Sequence, residues 1–338
     1  MSKMQLKTQG DFKLTVANSK ITLKAYDEAL VLYPQAKDLY ASAVAKEATL
    51  SDPSDLEDKI KVNLCSVYKN WAAALILKSN TNEEIKEENL LQAITVLEEG
   101  EAEYKDAIED HLHAAYHNLG LHYHKIDDFN KAIEFLKKAK VVKNDDMSTS
   151  YFLGLCHLEN GDSEQGEKEL KASIEFAKGA DAGRALNAFC KLIVCTKNDH
   201  YEKDILEEAF TYLSNLDDEV KILNLNSANI ICSHLAQKKL IDGENIEDIN
   251  ALSKSINADG DANILVTELT ESALYFNSTN DPQSCTRILL ALKEVAVDTS
   301  EIKDYLSVLW LEHHDSEKEA EILGDDQHEY TIDDFYFA

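Results

Sequence analysis

The sequence predicts an all-α protein, an α-solenoid of antiparallel helical hairpins, and three observations indicate this fold. Apolar residues recur at helical spacing along almost the whole chain, with short polar breaks between the periodic stretches. Only 3 Pro and 11 Gly occur in 338 residues, too few for the many turns of a sandwich or barrel. Two adjoining segments repeat each other at a period of 34 residues, which is the signature of stacked repeats.

The polar breaks divide the chain into about fifteen predicted helices, most of them roughly 12 to 20 residues long. Typical N-cap residues begin several of them, namely Ser54, Ser163 and Asp281, the last followed by a proline at the first helical position. Because the connections are short, successive helices are expected to pack antiparallel. The breaks lie at residues 51–54, 79–82, 143–146, 160–162, 257–261 and 277–282.

The clearest repeat occupies residues 113–178. Leucines in it are expected to point into each hairpin, and small residues to let the paired helices approach closely. The first copy carries Tyr116, Leu119, Gly120, Tyr123, Ala132, Leu136 and Ala139, and their counterparts 34 residues later are Ser150, Leu153, Gly154, His157, Gly166, Leu170 and Ser173.

This spacing resembles that of the tetratricopeptide repeat (TPR) family. The same template fits residues 22–53 through Ala25, Ala29, Leu32, Ala41, Ala48 and Pro53, although the Leu-Gly pair is missing there. Residues 56–105 fit a repeat with two overlong helices around a loop at 78–87, and beyond residue 180 only the helical periodicity continues. The predicted organisation is a flexible N-terminal segment (1–17), a TPR-like solenoid (18–314) and an acidic, aromatic C-terminal tail (315–338).

The resemblance implies a right-handed superhelix whose first helices line a concave groove that binds a segment of a partner protein. The helical wheel agrees with this, since the stripe of Leu112, Tyr116, Leu119 and Tyr123 is expected in the core, and His113, His117 and His124 fall on an adjacent face. The alternative is that Leu155 and Leu158 pack on the next hairpin. The groove-facing positions of the two clear repeats are Ala114, His117, Leu121, His124 and Lys125, followed by Ser148, Tyr151, Leu155, Leu158 and Glu159.

The charge of the chain narrows the range of possible functions. The chain has 63 acidic and 34 basic residues, a net charge of −29, which disfavours direct binding to nucleic acids or anionic membranes. Tyr151 and Glu159 stand where the TPR proteins that bind acidic chaperone tails carry cations, so that ligand is not expected. The predicted function is a non-catalytic interaction scaffold or complex subunit. The alternative is an acidic escort chaperone for a highly basic client, such as a ribosomal protein or histone.

The C-terminal tail combines acids with aromatic side chains. Ten acidic residues and one lysine lie in residues 311–338. The tail is expected either to be disordered and dock on a basic, apolar surface, or to fold back and cover the last hairpin. Its motif residues are Tyr330, Asp333, Asp334, Phe335, Tyr336 and Phe337.

No catalytic motif or cofactor fingerprint is found, so neither an enzyme nor a cofactor is predicted. His113 and His117 have the spacing of a metal-binding pair, but a third ligand is missing and no metal is predicted. If the histidines face an acidic partner, binding should strengthen below about pH 6.5. The six cysteines are expected to be reduced core residues. Without a leader or a membrane-spanning stretch, a cytoplasmic location is expected, with the nucleus as the alternative.

Overall fold

The computed structural model describes residues 1–178 apart from 48, 50 and 51, residues 181–195 and 203–256, and residues 264–291 with gaps at 280, 282, 283, 286, 289 and 290. Within these residues the chain forms thirteen α-helices and no strand. The chain divides into two compact units, Met1–Phe176 and Ala177–Ala338. The C-terminal tail predicted at 315–338 lies outside the described residues.

The first unit is a series of helices in which each packs against the next in sequence, the last two through Gly154 and Gly166. This arrangement confirms the predicted fold class, an all-α solenoid of helical hairpins. A 3-10 turn at Glu83–Ile85 precedes the fourth helix. The helices are α1 (Lys3–Thr22), α2 (Tyr26–Val44), α3 (Leu56–Ser79), α4 (Lys86–Lys125), α5 (Phe129–Val142), α6 (Met147–Glu159) and α7 (Ser163–Lys178).

Helix α4 consists of two helical arms that meet in a kink at Tyr104, whose φ of −130° and ψ of 28° are not helical. Tyr116 donates a hydrogen bond of 2.5 Å to Glu98, 18 residues earlier. In a straight helix 18 residues span about 27 Å, so the two arms of α4 must lie side by side. The first arm (86–103) is therefore the second helix of the hairpin that begins with α3. The second arm (105–125) is the first helix of the next hairpin, in agreement with the repeat boundary predicted near residue 105.

The first unit thus contains four hairpins: α1 with α2, α3 with the first arm of α4, the second arm with α5, and α6 with α7. In each, the second helix buries a small, a large and a small residue at spacings of four and three. The small residues allow close approach: a Cβ added at Gly120 would lie 2.6 Å from Leu136 Cγ. The four sets are Ala29, Tyr33 and Ala36; Ala93, Leu97 and Gly100; Ala132, Leu136 and Ala139; and Gly166, Leu170 and Ser173.

The structure corrects the sequence analysis at the N-terminus. The segment predicted as flexible over 1–17 belongs to α1, because Ser2 caps the helix and Leu6 and Ala17 are buried against the rest of the hairpin. The repeat predicted over 22–53 is also wrong, because residues 26–44 form one helix that continues through Pro34. The hairpin there is α1 with α2, and Ala17 occupies the place that Gly120 has in the third hairpin.

In the second unit, the described helices surround α11. This helix contacts α8, α9, α12 and α13, so the packing is less strictly sequential than in the first unit. Cys156, in the first unit, and Cys190, Cys232 and Cys285, in the second, are all buried. The helices are α8 (Ala182–Cys195), α9 (Lys203–Ser214), α10 (Asp218–Leu223), α11 (Leu225–Ile241), α12 (Glu247–Ile256) and α13 (Ile264–Ser278).

Candidate partner-binding groove

The candidate groove lies on two helices of the first unit, the second arm of α4 and α6, which open the third and fourth hairpins. The stripe predicted to be core is buried: Leu112, Tyr116, Leu119 and Tyr123 are 2, 8, 0 and 3 % exposed. The ligand-binding positions predicted from the sequence lie on the adjacent face of these two helices.

The predicted groove positions are neither fully buried nor fully exposed, with two exceptions at the rim. Lys125 and Glu159 are exposed, at the last residue of α4 and of α6. Leu158 packs over Gly166, so part of its side chain contacts the second helix of its own hairpin. The half-buried positions are Ala114, His117, Leu121, His124, Ser148, Tyr151, Leu155 and Leu158.

The histidines of α4 contact α6 directly. His113 Nε2 lies 3.1 Å and His117 Nδ1 3.0 Å from the hydroxyl oxygen of Thr149, which is fully buried. The two imidazole rings stack with their centroids 5.9 Å apart. Burial lowers the pKa of His113 despite the neighbouring Asp146. These two side chains therefore connect adjacent hairpins.

Phe152 is an aromatic residue at this face that the sequence analysis missed. Its ring makes edge contacts with His117, His124 and Tyr151, at centroid distances of 6.2, 5.6 and 5.3 Å. His124 also contacts Phe129 at the start of α5, with centroids 6.0 Å apart. The sequence signal for Phe152 is an aromatic side chain next to Tyr151, although neighbouring helical residues normally face different ways.

The rim residue Lys125 is held by the loop before α4. Its ammonium group lies 3.0 Å from Glu83, with which Lys86 also pairs. Tyr123, two residues earlier, donates a hydrogen bond of 2.6 Å to Glu87. The 3-10 turn and the first arm of α4 thus contact the second arm through the acidic side chains of Glu83 and Glu87.

The ten predicted groove positions include one lysine and one glutamate, so with neutral histidines they carry no net charge. The chain as a whole carries −29. Residues 177–338 contribute most of this excess, with 32 acidic and 13 basic residues. The groove face is therefore a nearly neutral surface on an acidic protein.

The remaining questions raised by the sequence concern a metal site, a membrane-spanning helix and the C-terminal tail. Within the described ranges, no group of three or more His, Cys, Asp or Glu side chains could hold a metal ion. No helix of the described part is long and apolar enough to cross a membrane. The tail residues Tyr330, Asp333, Asp334, Phe335, Tyr336 and Phe337 lie outside the described residues.

The period of 34 residues, the helical hairpins and the small-residue contacts between paired helices define a TPR-like repeat protein. No family model and no curated protein matches the sequence.

Solved structures similar to this chain include the C-terminal part of a TPR repeat-containing protein from Cytophaga hutchinsonii, at 12% identity and a TM-score of 0.40, covering 78% of this chain and 99% of that one. The apo form of the quorum sensor NprR from B. thuringiensis is similar at 11% identity and a TM-score of 0.36, over 95% and 86% of the chains. The TPR domain of P58(IPK) is similar at 17% identity and a TM-score of 0.30, over 95% and 100%. Because these TM-scores and identities are low, the TPR-like assignment rests on the repeat spacing and helix contacts of the chain itself.

Proposed function

We propose that this protein is a non-catalytic interaction scaffold or complex subunit that holds a segment of a partner protein in the groove formed by the second arm of α4 and α6. The observation that carries this proposal is the row of half-buried apolar and aromatic side chains beside the buried stripe. Tyr151, Leu155 and Leu121 are among them. Partly exposed side chains on rigid, adjacent helices are the anchors that partner segments use.

The charge of the groove indicates the kind of segment. A face with no net charge gains little from a strongly basic or acidic ligand, since exposed charges are screened beyond about 8 to 10 Å at physiological salt. The segment should bury apolar or aromatic side chains, and its binding should persist as salt rises. The partner is thus a protein, engaged through an extended or helical segment.

Paired variants test the proposal. Tyr151→Ala with Leu155→Ala removes two groove anchors, and Lys137→Ala with Val141→Ala changes two exposed residues of α5 as a matched control. Proteins bound to each full-length variant are captured from native lysate, washed in steps from about 0.1 to 0.5 M salt, and quantified by mass spectrometry. The proposal predicts that the groove variant loses wild-type partners at every salt step and that the control keeps them.

The proposal fails if both variants keep the same partners, because binding would then not depend on the groove. The groove variant must also retain its helix content and cooperative unfolding. If it does not, the single variant Leu155→Ala replaces it in the comparison.

The acidity of residues 177–338 favours one alternative, an escort for a very basic client. The same capture distinguishes the two functions. A basic client bound by charge should leave at moderate salt from both paired variants, and should leave earlier from a chain that ends at Glu312. Partners held in the groove should depend on Tyr151 and Leu155 instead.

A further inference from the structure

The connection between the two arms of α4 differs from the connections inside the other hairpins of the first unit. Three residues separate α1 from α2, α4 from α5 and α6 from α7, and one of the three has a positive φ in each case, namely Lys24, Asp127 and Gly161. Between the arms, where every residue is described, Tyr104 alone is non-helical. Residues 101–117 contain no Pro, Gly or Asn. The sequence around the kink therefore lacks a turn signal and favours a continuous helix.

The apolar stripe of α4 runs through the kink without a break. Its residues follow one another at steps of three or four along both arms, and Tyr104 occupies a place in this series. Such steps are the period of a single amphipathic helix. A straight α4 of 40 residues, about 60 Å long, would keep one continuous stripe. The stripe consists of Leu90, Ala93, Leu97, Gly100, Tyr104, Ile108, Leu112, Ala115, Leu119 and Tyr123.

The hydrogen bonds between the arms have a register that a second copy of α4 can reproduce. Glu98 accepts from Tyr116, and Glu87 accepts from Tyr123. The midpoint of each pair lies within three residues of the kink. On a straight helix these four side chains lie within about 20° of one another around the axis. Two straight α4 helices placed antiparallel, with their centres together, would therefore form both bonds in each direction.

We propose that α4 also exists as one straight helix, and that two copies of the chain then exchange their second arms. Each first arm packs on the second arm of the other copy with the contacts that it makes within a single chain. Only the conformation near Tyr104 changes. The interaction surface for the second copy is thus the face that each arm presents to the other.

The exchange keeps the proposed groove intact, because its helices lie within residues 105–159 and move together. A dimer would carry two grooves and hold a partner with two binding segments more tightly than a single chain does. This consequence rests on the proposed function, whereas the exchange of arms does not.

Two matched variants of the full chain test the exchange. Tyr104→Ala and Tyr104→Gly both remove the ring and its contact with Tyr68, but alanine favours the helical conformation about fivefold over glycine. A dimer contains two such positions, so Tyr104→Ala should dimerise about 25-fold more tightly than Tyr104→Gly. Each chain is annealed just below its unfolding temperature, and its dimer fraction is measured by gel filtration with light scattering over a range of concentrations.

Pulsed EPR shows whether the arms of the wild-type dimer are exchanged. Spin labels on unnatural amino acids at residues 92 and 118 are about 39 Å apart along a straight helix. In the hairpin they lie on neighbouring helices whose axes are about 10 Å apart. The labelled chain is annealed with excess unlabelled chain, so that the distance within one copy is measured. We expect the long distance in the dimer fraction and the short one in the monomer fraction.

Three results would overturn the proposal: no dimer of the wild-type chain after annealing, dimerisation of Tyr104→Ala no tighter than that of Tyr104→Gly, or the short distance in the dimer fraction. The EPR measurement leaves Tyr104 unchanged, so it decides the question should either variant fail to fold. An exchanged dimer that binds no partner protein would count against the proposed groove function alone.

Discussion

Tyr116 on the second arm of α4 donates a hydrogen bond of 2.5 Å to Glu98 on the first arm of the same helix. Burial, followed by this contact with Glu98, raises the pKa of the phenol. The bond joins residues on either side of the kink at Tyr104, which places the two arms of α4 side by side in two successive hairpins. Because Tyr116 faces the core, the adjacent face of the second arm is the one that a ligand could contact.

Tyr116→Phe should lower the free energy of unfolding by about 1 kcal/mol, since it removes one hydrogen bond to a solvated carboxylate while keeping the ring. Urea unfolding followed by circular dichroism measures the change. A double-mutant cycle with Glu98→Ala should show that the two effects are not additive. Fully additive losses would mean that the two arms are not held together by this pair.

Gly120→Ala tests the close packing inside the third hairpin. Alanine normally stabilises a helix by about 1 kcal/mol relative to glycine. Here the new Cβ would lie 2.6 Å from Leu136 Cγ, so the substitution should destabilise by about 1 to 3 kcal/mol instead. In a Leu136→Ala background the penalty should shrink or change sign, and a stabilised single variant would contradict the packing.

Asp11 joins the first two hairpins by accepting hydrogen bonds from Tyr40 at 2.7 Å and from Asn63 at 2.8 Å. Asp11→Ala should cost about 2 to 3 kcal/mol, because it leaves these donors without their acceptor. One helical heptad later, Asn18 accepts from Tyr33 and Asn70 with the same arrangement, but it is exposed and uncharged. Thermal unfolding should rank Asn18→Ala as the milder change, and the reverse order would contradict this assignment.

Stability should fall in mild acid. Burial lowers the pKa of His111, His113 and His157 below the usual 6.5. The unfolded chain therefore binds more protons than the folded one below about pH 7, and the free energy of unfolding decreases as the pH falls through 6.5. Urea titrations from pH 7.5 to 5.5 measure the slope, which His111→Gln should reduce. A flat profile would show that these histidines are solvated.

Much of the first unit could be predicted from the sequence. The period of 34 residues identified the third and fourth hairpins, and Gly120 and Gly154 were correctly placed where paired helices meet. The first hairpin was predicted at the wrong residues, 22–53 instead of α1 and α2, because its first helix has no Leu-Gly pair. The signal that would have found it is the series Ala17, Ala29, Tyr33 and Ala36, whose spacing matches Gly120, Ala132, Leu136 and Ala139.

Contacts between hairpins could not be predicted in this way. Thr149 joins two histidines that lie 32 and 36 residues before it, and that meeting depends on how α6 stacks on α4. Two acidic residues of the first arm of α4 reach Tyr116 and Tyr123 because the chain reverses at Tyr104, which the sequence pattern does not reveal. Local periodicity assigns each helix its buried face, whereas these polar contacts depend on tertiary geometry.

The most direct test of the groove is site-specific photo-crosslinking. A photoreactive phenylalanine analogue is placed at Leu155 on α6, at Leu121 on α4, or at Val141, which is 87 % exposed on α5. If the groove holds the partner segment, partner proteins should crosslink from residues 155 and 121 and not from 141, at low and at high salt. Crosslinking from residue 141 with none from 155 and 121 would contradict the groove function.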